Sequence, residues 1–367
     1  MPDLKPFPRL VVVAAASALM ALVSACGGGS AVAPSPPRAE LTRSWRMGFF
    51  TVPPRPSVAA AIESIDRWSL RAELVAIHEE LPWTELLAGV APETILARDK
   101  VDLVNYLRSK GLAIYFMLDL TDGLSRGEEA PQLRALGRSI ADPEVQQAYR
   151  SYALAVASVL NPEIIGLAAE TNLIRVAAPA PVYAAVVQVT NATASDLKSA
   201  GSQATLLVST QVEVAWGGLG GNGPYVGIER DFADFPFMEM LGLSSYPYFD
   251  FTQPENLPVD YYSRLRNGRT IPVMVVEGGW TSAAVGNVQS SPALQARYFN
   301  QHARLLDSVA ARGVIQLIYA DIDLAAIPPP LPVNLPLFVH LGLTDSDFNA
   351  KPALAAWDAL YARPLRP

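Results

Sequence analysis

A chain of 367 residues carries one cysteine and three histidines, which leaves little with which to build a soft-metal site. Cys26 has no second thiol to pair with, so no disulfide forms within the chain. His78, His302 and His340 are isolated and no stretch has metal-ligand spacing, so neither a metal nor another cofactor is expected. Charge is also sparse: 17% of residues are Asp, Glu, Lys or Arg, the formal net charge is −7, and Lys and Arg are scattered. Mild acidity without a basic run argues against nucleic acid as a partner. No G-x-S-x-G elbow is present to seat a nucleophilic serine. No Gly-rich phosphate loop follows the first strand-like run, which weakens a dinucleotide-binding reading. What is plentiful is apolar: half of the residues are hydrophobic, enough to bury a large core.

The one long apolar run is at the N-terminus. Lys5 and Arg9 precede the uncharged stretch Leu10–Val23, too short to span a bilayer as a mature helix. It ends in Val23-Ser24-Ala25-Cys26, which resembles a bacterial lipobox, so residues 1–25 are expected to be a lipoprotein signal peptide and Cys26 the lipidated residue. Gly27 follows the cysteine, and in a Gram-negative envelope that implies sorting to the outer membrane. Residues 26–40 hold this cysteine and a Gly-, Ser- and Pro-rich tether. Residues 41–367 are then a single domain, expected to act as a monomer and to meet the bacterial cell envelope only through its anchor.

Within that domain, short runs of Val, Ile, Leu and Met alternate with amphipathic stretches. The expected strands are Arg46–Val52, Ala72–Ile77, Ala113–Leu118, Ile164–Ala168, Thr205–Thr210, Met240–Ser244, Pro272–Val276 and Ile315–Tyr319. They lack clean polar alternation, as parallel strands buried on both faces do. Helical spacing covers Asp99–Ser109, Asp142–Leu160 and Ala293–Arg312, the first and last stopping at Gly111 and Gly313. Eight strand–helix units fit an α/β fold of the (β/α)8 TIM-barrel type better than an open doubly wound sheet.

Two carboxylates end such strands: Glu170, after Ile164-Ile165-Gly166-Leu167-Ala168-Ala169, and Glu277, after Val273-Met274-Val275-Val276. A charge just past a buried strand is costly unless a site uses it or a partner compensates it. In a barrel the two would cap the fourth and seventh strands at the mouth where active sites lie, and two facing carboxylates can cleave a glycosidic bond. The sequence here resembles the retaining glycoside hydrolases of clan A, with some likeness to arabinogalactan endo-β-1,4-galactanases. The likeness is carried by Val276-Glu277-Gly278-Gly279-Trp280, by Leu241-Gly242-Leu243-Ser244-Ser245-Tyr246-Pro247-Tyr248, and by Gly342-Leu343-Thr344-Asp345 through Lys351-Pro352-Ala353-Leu354 and Trp357. The resemblance implies Glu170 as acid/base, Glu277 as nucleophile, Tyr246 as a donor to the nucleophile, and a carbohydrate substrate. Two departures accompany it. Ala169 stands where the clan has an Asn that binds the sugar 2-hydroxyl, with Asn172 the candidate to take over that contact, and no Arg matches the clan's at the start of strand two. Ala169 keeps a rival open, a barrel that binds glycans without turning them over.

Other candidates follow the strands. His78 and the aromatic side chains of Trp83, Trp216 and Trp280 are candidates either to bind a sugar, since aromatic faces suit the apolar faces of sugar rings, or to serve as structural and core residues, and Tyr319 is the candidate to replace the platform Trp that the resemblance implies at strand eight. Glu79 and Glu80 read as loop charges; Asp119, Asp122 and Glu213 read as helix caps or loop charges, and the roles of Asp321 and Asp323 stay open.

Overall fold

The computed structural model describes residues 41–219 and 223–366. The expected signal peptide, Cys26 and the tether lie outside these residues. Eight parallel strands close a barrel: β1 (Arg46–Phe50), β2 (Leu74–Glu80), β3 (Ala113–Asp119), β4 (Ile164–Gly166), β5 (Thr205–Gln211), β6 (Met240–Ser245), β7 (Val273–Gly278) and β8 (Gly313–Gln316). Each pairs with its sequence neighbours, and β8 pairs with β1 to close the ring. The expected (β/α)8 barrel is therefore the fold, with all eight expected strands in place. Their ends shift: β8 begins and ends earlier than its apolar run, and β2 continues through His78 to Glu80.

Alternation along the strands separates two cores. One side of each strand fills the lumen with Leu74, Ala76, Tyr115, Met117, Leu207, Met240, Met274, Val276 and Ile315. The other side, with Val75, Ile77, Ile114, Phe116, Val273 and Val275, packs against the helices. Burial on both faces explains why the sequence shows continuous apolar runs. Among those helices, Pro143–Ala155 continues into a π-helical turn, Val156–Leu160, and stops at left-handed Asn161. Ser291 caps Pro292–Ser308 by accepting the Leu294 N–H. The expected helix over Asp99–Ser109 is two, Pro92–Asp99 and Val101–Ser109, broken at Lys100. None of the described helices is long and apolar enough to cross a membrane.

The barrel floor is stitched by a repeated device. Glu73, Glu163 and Glu239 stand just before β2, β4 and β6, and each carboxylate accepts a backbone N–H from the preceding barrel strand. The donors are Met47 at 3.0 Å, Ile114 at 2.7 Å and Leu206 at 2.9 Å. At the mouth, β3 runs into a hairpin over Thr121–Glu129 that the apolar pattern does not announce. Its only signal is Asp122-Gly123, a dipeptide suited to a tight hairpin turn.

The exit of β7 relies on glycine. Gly278 has φ +155°, and a Cβ there would lie 2.3 Å from the Ser245 carbonyl oxygen. Gly278→Ala is expected to destabilise the fold by about 2–4 kcal/mol. Urea unfolding would check this, and a loss below about 0.5 kcal/mol would show that the β6–β7 exit can relax.

Candidate active site

Strict alternation would send Glu277 outward, because Met274 and Val276 face the lumen and Val275 faces the helices. A bulge reverses this. Leu243 pairs with Val275 while Ser244 pairs with Glu277, leaving Val276 unpaired, and the extra residue turns Glu277 over the lumen. Glu170 is re-aimed by another route. It has φ +51°, left-handed for a residue with a side chain, and it opens the helix Thr171–Ala177. Its N–H donates to Ser209 Oγ at 2.9 Å, which helps hold a conformation costing about 1–3 kcal/mol.

Both residues are 6% exposed, and a closed circuit of buried charge joins them. Arg126, from the hairpin, donates through Nε to Glu170 Oε2 at 2.9 Å and through Nη1 to both Asp119 oxygens at 2.7 Å. Asp119 Oδ2 lies 2.7 Å from His78 Nε2, and His78 Nδ1 lies 3.3 Å from Glu277 Oε2. Tyr246 donates its hydroxyl to Glu277 Oε1 at 3.2 Å. Ser244 Oγ touches both carboxyls, at 2.7 Å from Glu170 Oε1 and in a short contact with Glu277 Oε1.

This environment drives the two glutamates apart. Burial and the neighbouring Glu277 charge raise the Glu170 pKa against the pull of Arg126. Burial also opposes ionisation of Glu277, but the His78 imidazolium, Arg126 and Ser244 overcome it and lower its pKa. Burial would depress His78, yet its contacts with Asp119 and Glu277 push it up to about 9. Burial likewise opposes the Asp119 charge, and Arg126 and His78 hold that carboxyl well below the usual range. With Arg126 and His78 cationic and Asp119 and Glu277 anionic, the circuit is neutral when Glu170 keeps its proton. Such a division of two carboxyls into acid and base is how one site performs both kinds of chemistry.

Four of the expected site residues meet here: Glu170, Glu277, Tyr246 and His78. The others are placed elsewhere. Asn172 is fully buried and ties the start of its helix to β5, donating to the Gln211 carbonyl at 2.8 Å and accepting the Gln211 N–H at 2.7 Å. Trp83 has no exposed surface and packs in the outer core. Trp280 is also sealed, packing at a tilt against Tyr298 and donating to Ser290 Oγ at 3.0 Å. Trp216 is half-buried; it stacks on Tyr261 at 5.3 Å between centroids and donates to that residue's carbonyl. Tyr319 packs edge-on against Phe49, and its hydroxyl accepts from Arg71 at 3.1 Å. Trp83, Trp280 and Tyr319 are covered by protein, so the expectation that they face a sugar is corrected to packing, whereas Trp216 keeps part of its surface exposed.

Three residues gain a part that the sequence reading withheld. Asp119 belongs to the charge circuit rather than to a cap, and Arg126 is its central cation. Glu213 is fully buried behind Tyr246, accepting from the Tyr246 N–H at 3.0 Å, the Tyr261 hydroxyl at 2.7 Å and the Gln211 side chain at 2.5 Å. With no cation in contact among the described residues, burial pushes its pKa up to about 7. Asp122 does serve the loop, accepting the Leu124 N–H at 2.9 Å and pairing with Arg134.

The folded-state pKa of His78 lies above its ordinary value of 6.5, so its stabilisation is full below about pH 6.5 and is lost as pH rises through about 9. The destabilisation caused by His78→Gln is therefore expected to be largest near pH 6 and to shrink toward pH 9.5. Urea unfolding across that range tests this, and a constant difference would refute the charged imidazole.

No family model matches the chain, and no curated protein matches it. Solved structures do match. A GH5_18 protein from Bifidobacterium longum subsp. longum, in complex with Manβ1-4GlcNAc, aligns with TM-score 0.62 and 16% identity over 88% of this chain and 80% of its own. A GH5_18 protein from Bifidobacterium longum subsp. infantis gives TM-score 0.63 and 17% identity over 89% of this chain and 80% of its own. The exo-β-1,4-mannosidase of Opitutaceae bacterium strain TAV5 gives 0.66 and 18% over 88% of this chain and 60% of its own length. The galactanase likeness expected from short motifs has no counterpart among these three. At such identities the likeness establishes the fold, a closed (β/α)8 barrel shared with glycoside hydrolases of family 5.

Proposed function

We propose that the protein is a retaining glycoside hydrolase acting on a β-linked oligosaccharide or polysaccharide, held to the cell envelope by a lipid on Cys26. The observation that carries the reading is the meeting of Glu170 and Glu277 on one hydroxyl. Two oxygens that each hydrogen-bond the same Ser244 Oγ lie no more than about 6 Å apart. Retaining enzymes space their carboxyls by about 5–5.5 Å, and inverting enzymes need about 6.5–9.5 Å to admit a water.

In this reading Glu277, ionised and oriented by His78 and Tyr246, attacks the anomeric carbon. The bond to the leaving oxygen breaks as Glu170 passes its proton to that oxygen. Glu170, now a carboxylate, takes a proton from water, and the water oxygen displaces Glu277 from the glycosyl-enzyme. Ala169 places a methyl group beside the acid, so no side-chain amide from that position meets the sugar's 2-hydroxyl. Two neighbours carry mannose in their descriptions, a bound Manβ1-4GlcNAc and an exo-β-1,4-mannosidase activity, which makes β-mannosides the first substrates to assay.

Aryl β-glycosides and β-linked oligosaccharides are expected to be hydrolysed by the protein. Glu277→Ala should abolish turnover, and Glu170→Gln should lower kcat by about 10²–10⁴ on substrates with poor leaving groups. Glycan binding with no turnover by the unsubstituted protein would favour the inert barrel instead. Cys26→Ser is expected to release the protein from membranes after a salt wash; retention there would refute the lipid anchor.

A further inference from the structure

We infer that Ser244 is a positioning residue that makes the carboxyl pair hold a single proton and keeps that proton on Glu170. The inference rests on the glycosidase reading for its use in turnover, and its test does not need turnover. Ser244 lies on β6 with no exposed surface, its Oγ in contact with Glu170 Oε1 at 2.7 Å and with Glu277 Oε1. A hydroxyl has one proton to donate and lone pairs to accept with. If both carboxyls were ionised, one of them would face a lone pair across a hydrogen-bond distance with no proton between. If both were protonated, the hydroxyl could donate only to a neutral carboxyl oxygen, and the bond would lose the charge assistance that an ionised Glu277 gives it. One proton satisfies all three groups: Glu170 donates to Ser244 Oγ, and Ser244 donates to Glu277.

The neighbours decide which carboxyl keeps the proton. Glu277 Oε1 accepts from the Tyr246 hydroxyl at 3.2 Å and Oε2 lies 3.3 Å from His78 Nδ1, which favours the anion at Glu277 when the imidazole is protonated. On Glu170 only Oε2 is taken, by Arg126 at 2.9 Å, and Oε1 meets Ser244 alone. Oε1 is therefore the free seat. The other titratable or charged groups facing the pair are Tyr115 and Asp119 from β3, and neither hydrogen-bonds either glutamate, so the hydroxyl is the only direct bridge between them among the described residues.

The test is a pH titration of the protein labelled with 13C at the glutamate carboxyls, read by NMR, with Glu170→Gln and Glu277→Gln used for assignment. The pair is expected to titrate in two widely separated apparent steps. Ser244→Ala removes an acceptor from the acid and a donor from the anion, so the steps should approach each other by about 1–2 pH units. Ser244→Thr retains the hydroxyl and should keep them apart. An unchanged separation in Ser244→Ala would overturn the inference. In turnover assays the same variant should narrow the bell-shaped pH profile of kcat/KM from both sides, a change that mere loss of stability would not produce. A protein without turnover whose titrations still converge in Ser244→Ala would uphold the inference and remove the glycosidase reading.

Discussion

Arg126 lies between Asp119 and Glu170 with 5% of its surface exposed, and the rest of the site depends on that contact. A buried carboxylate without a cation is several kcal/mol less favourable than one in water, and this circuit contains three carboxyls: Asp119, Glu170 and Glu277. One guanidinium serves the first two directly, and His78 serves the first and the third. Two cations cannot neutralise three anions, so the remaining imbalance is relieved most simply by a proton on the glutamate that burial and Glu277 already oppose as an anion. The protonated and the ionised glutamate are thus consequences of one charge balance in a medium that screens poorly.

The backbone makes that balance reachable. Regular strands would have put Glu277 among the helices and let the chain after β4 continue past the lumen. A bulge at Val276 and a left-handed turn at Glu170 break the alternation at the two places where a carboxyl must turn inward. Each departure is supported locally: the bulge by glycine at 278, packed on the Ser245 carbonyl, and the turn by the Glu170 N–H bond to Ser209. Local strain held at a site by a well-packed surrounding structure is a familiar arrangement.

The same residue type works differently at the two ends of the barrel. At the floor, Glu73, Glu163 and Glu239 accept backbone N–H groups from the strand before them and join the strand starts. A concavity of about 610 Å³ opens at that end, lined by Arg46, Glu163, Lys198, Glu239 and Arg312 among others. Its carboxylates are already engaged in holding strands, and in this fold that end serves stability. At the mouth Asp119, Glu170 and Glu277 meet side chains instead.

The sequence by itself determined the barrel and the two glutamates. Apolar runs at regular spacing demand strands covered on both faces, and a carboxylate just past such a run stands out because burial penalises it. His78 was legible for the same reason, as a polar group following a buried strand, and Tyr246 through the likeness of Ser244-Ser245-Tyr246-Pro247 to clan A. Arg126 was not, because it sits in Ser125-Arg126-Gly127-Glu128-Glu129, a polar segment that reads as surface until the hairpin folds it over the mouth. Trp83, Trp280 and Tyr319 read as sugar platforms because residue type and strand position do not say which way a ring points. Ser244 ends an expected strand, but nothing in the sequence marks its contact with the glutamates, since its importance is a matter of lying within hydrogen-bond reach of two residues far from it in the chain. Alternation and burial are local properties written along the sequence; the partner of a buried charge is chosen only when the barrel closes and brings β2, β3, β4, β6 and β7 around one point.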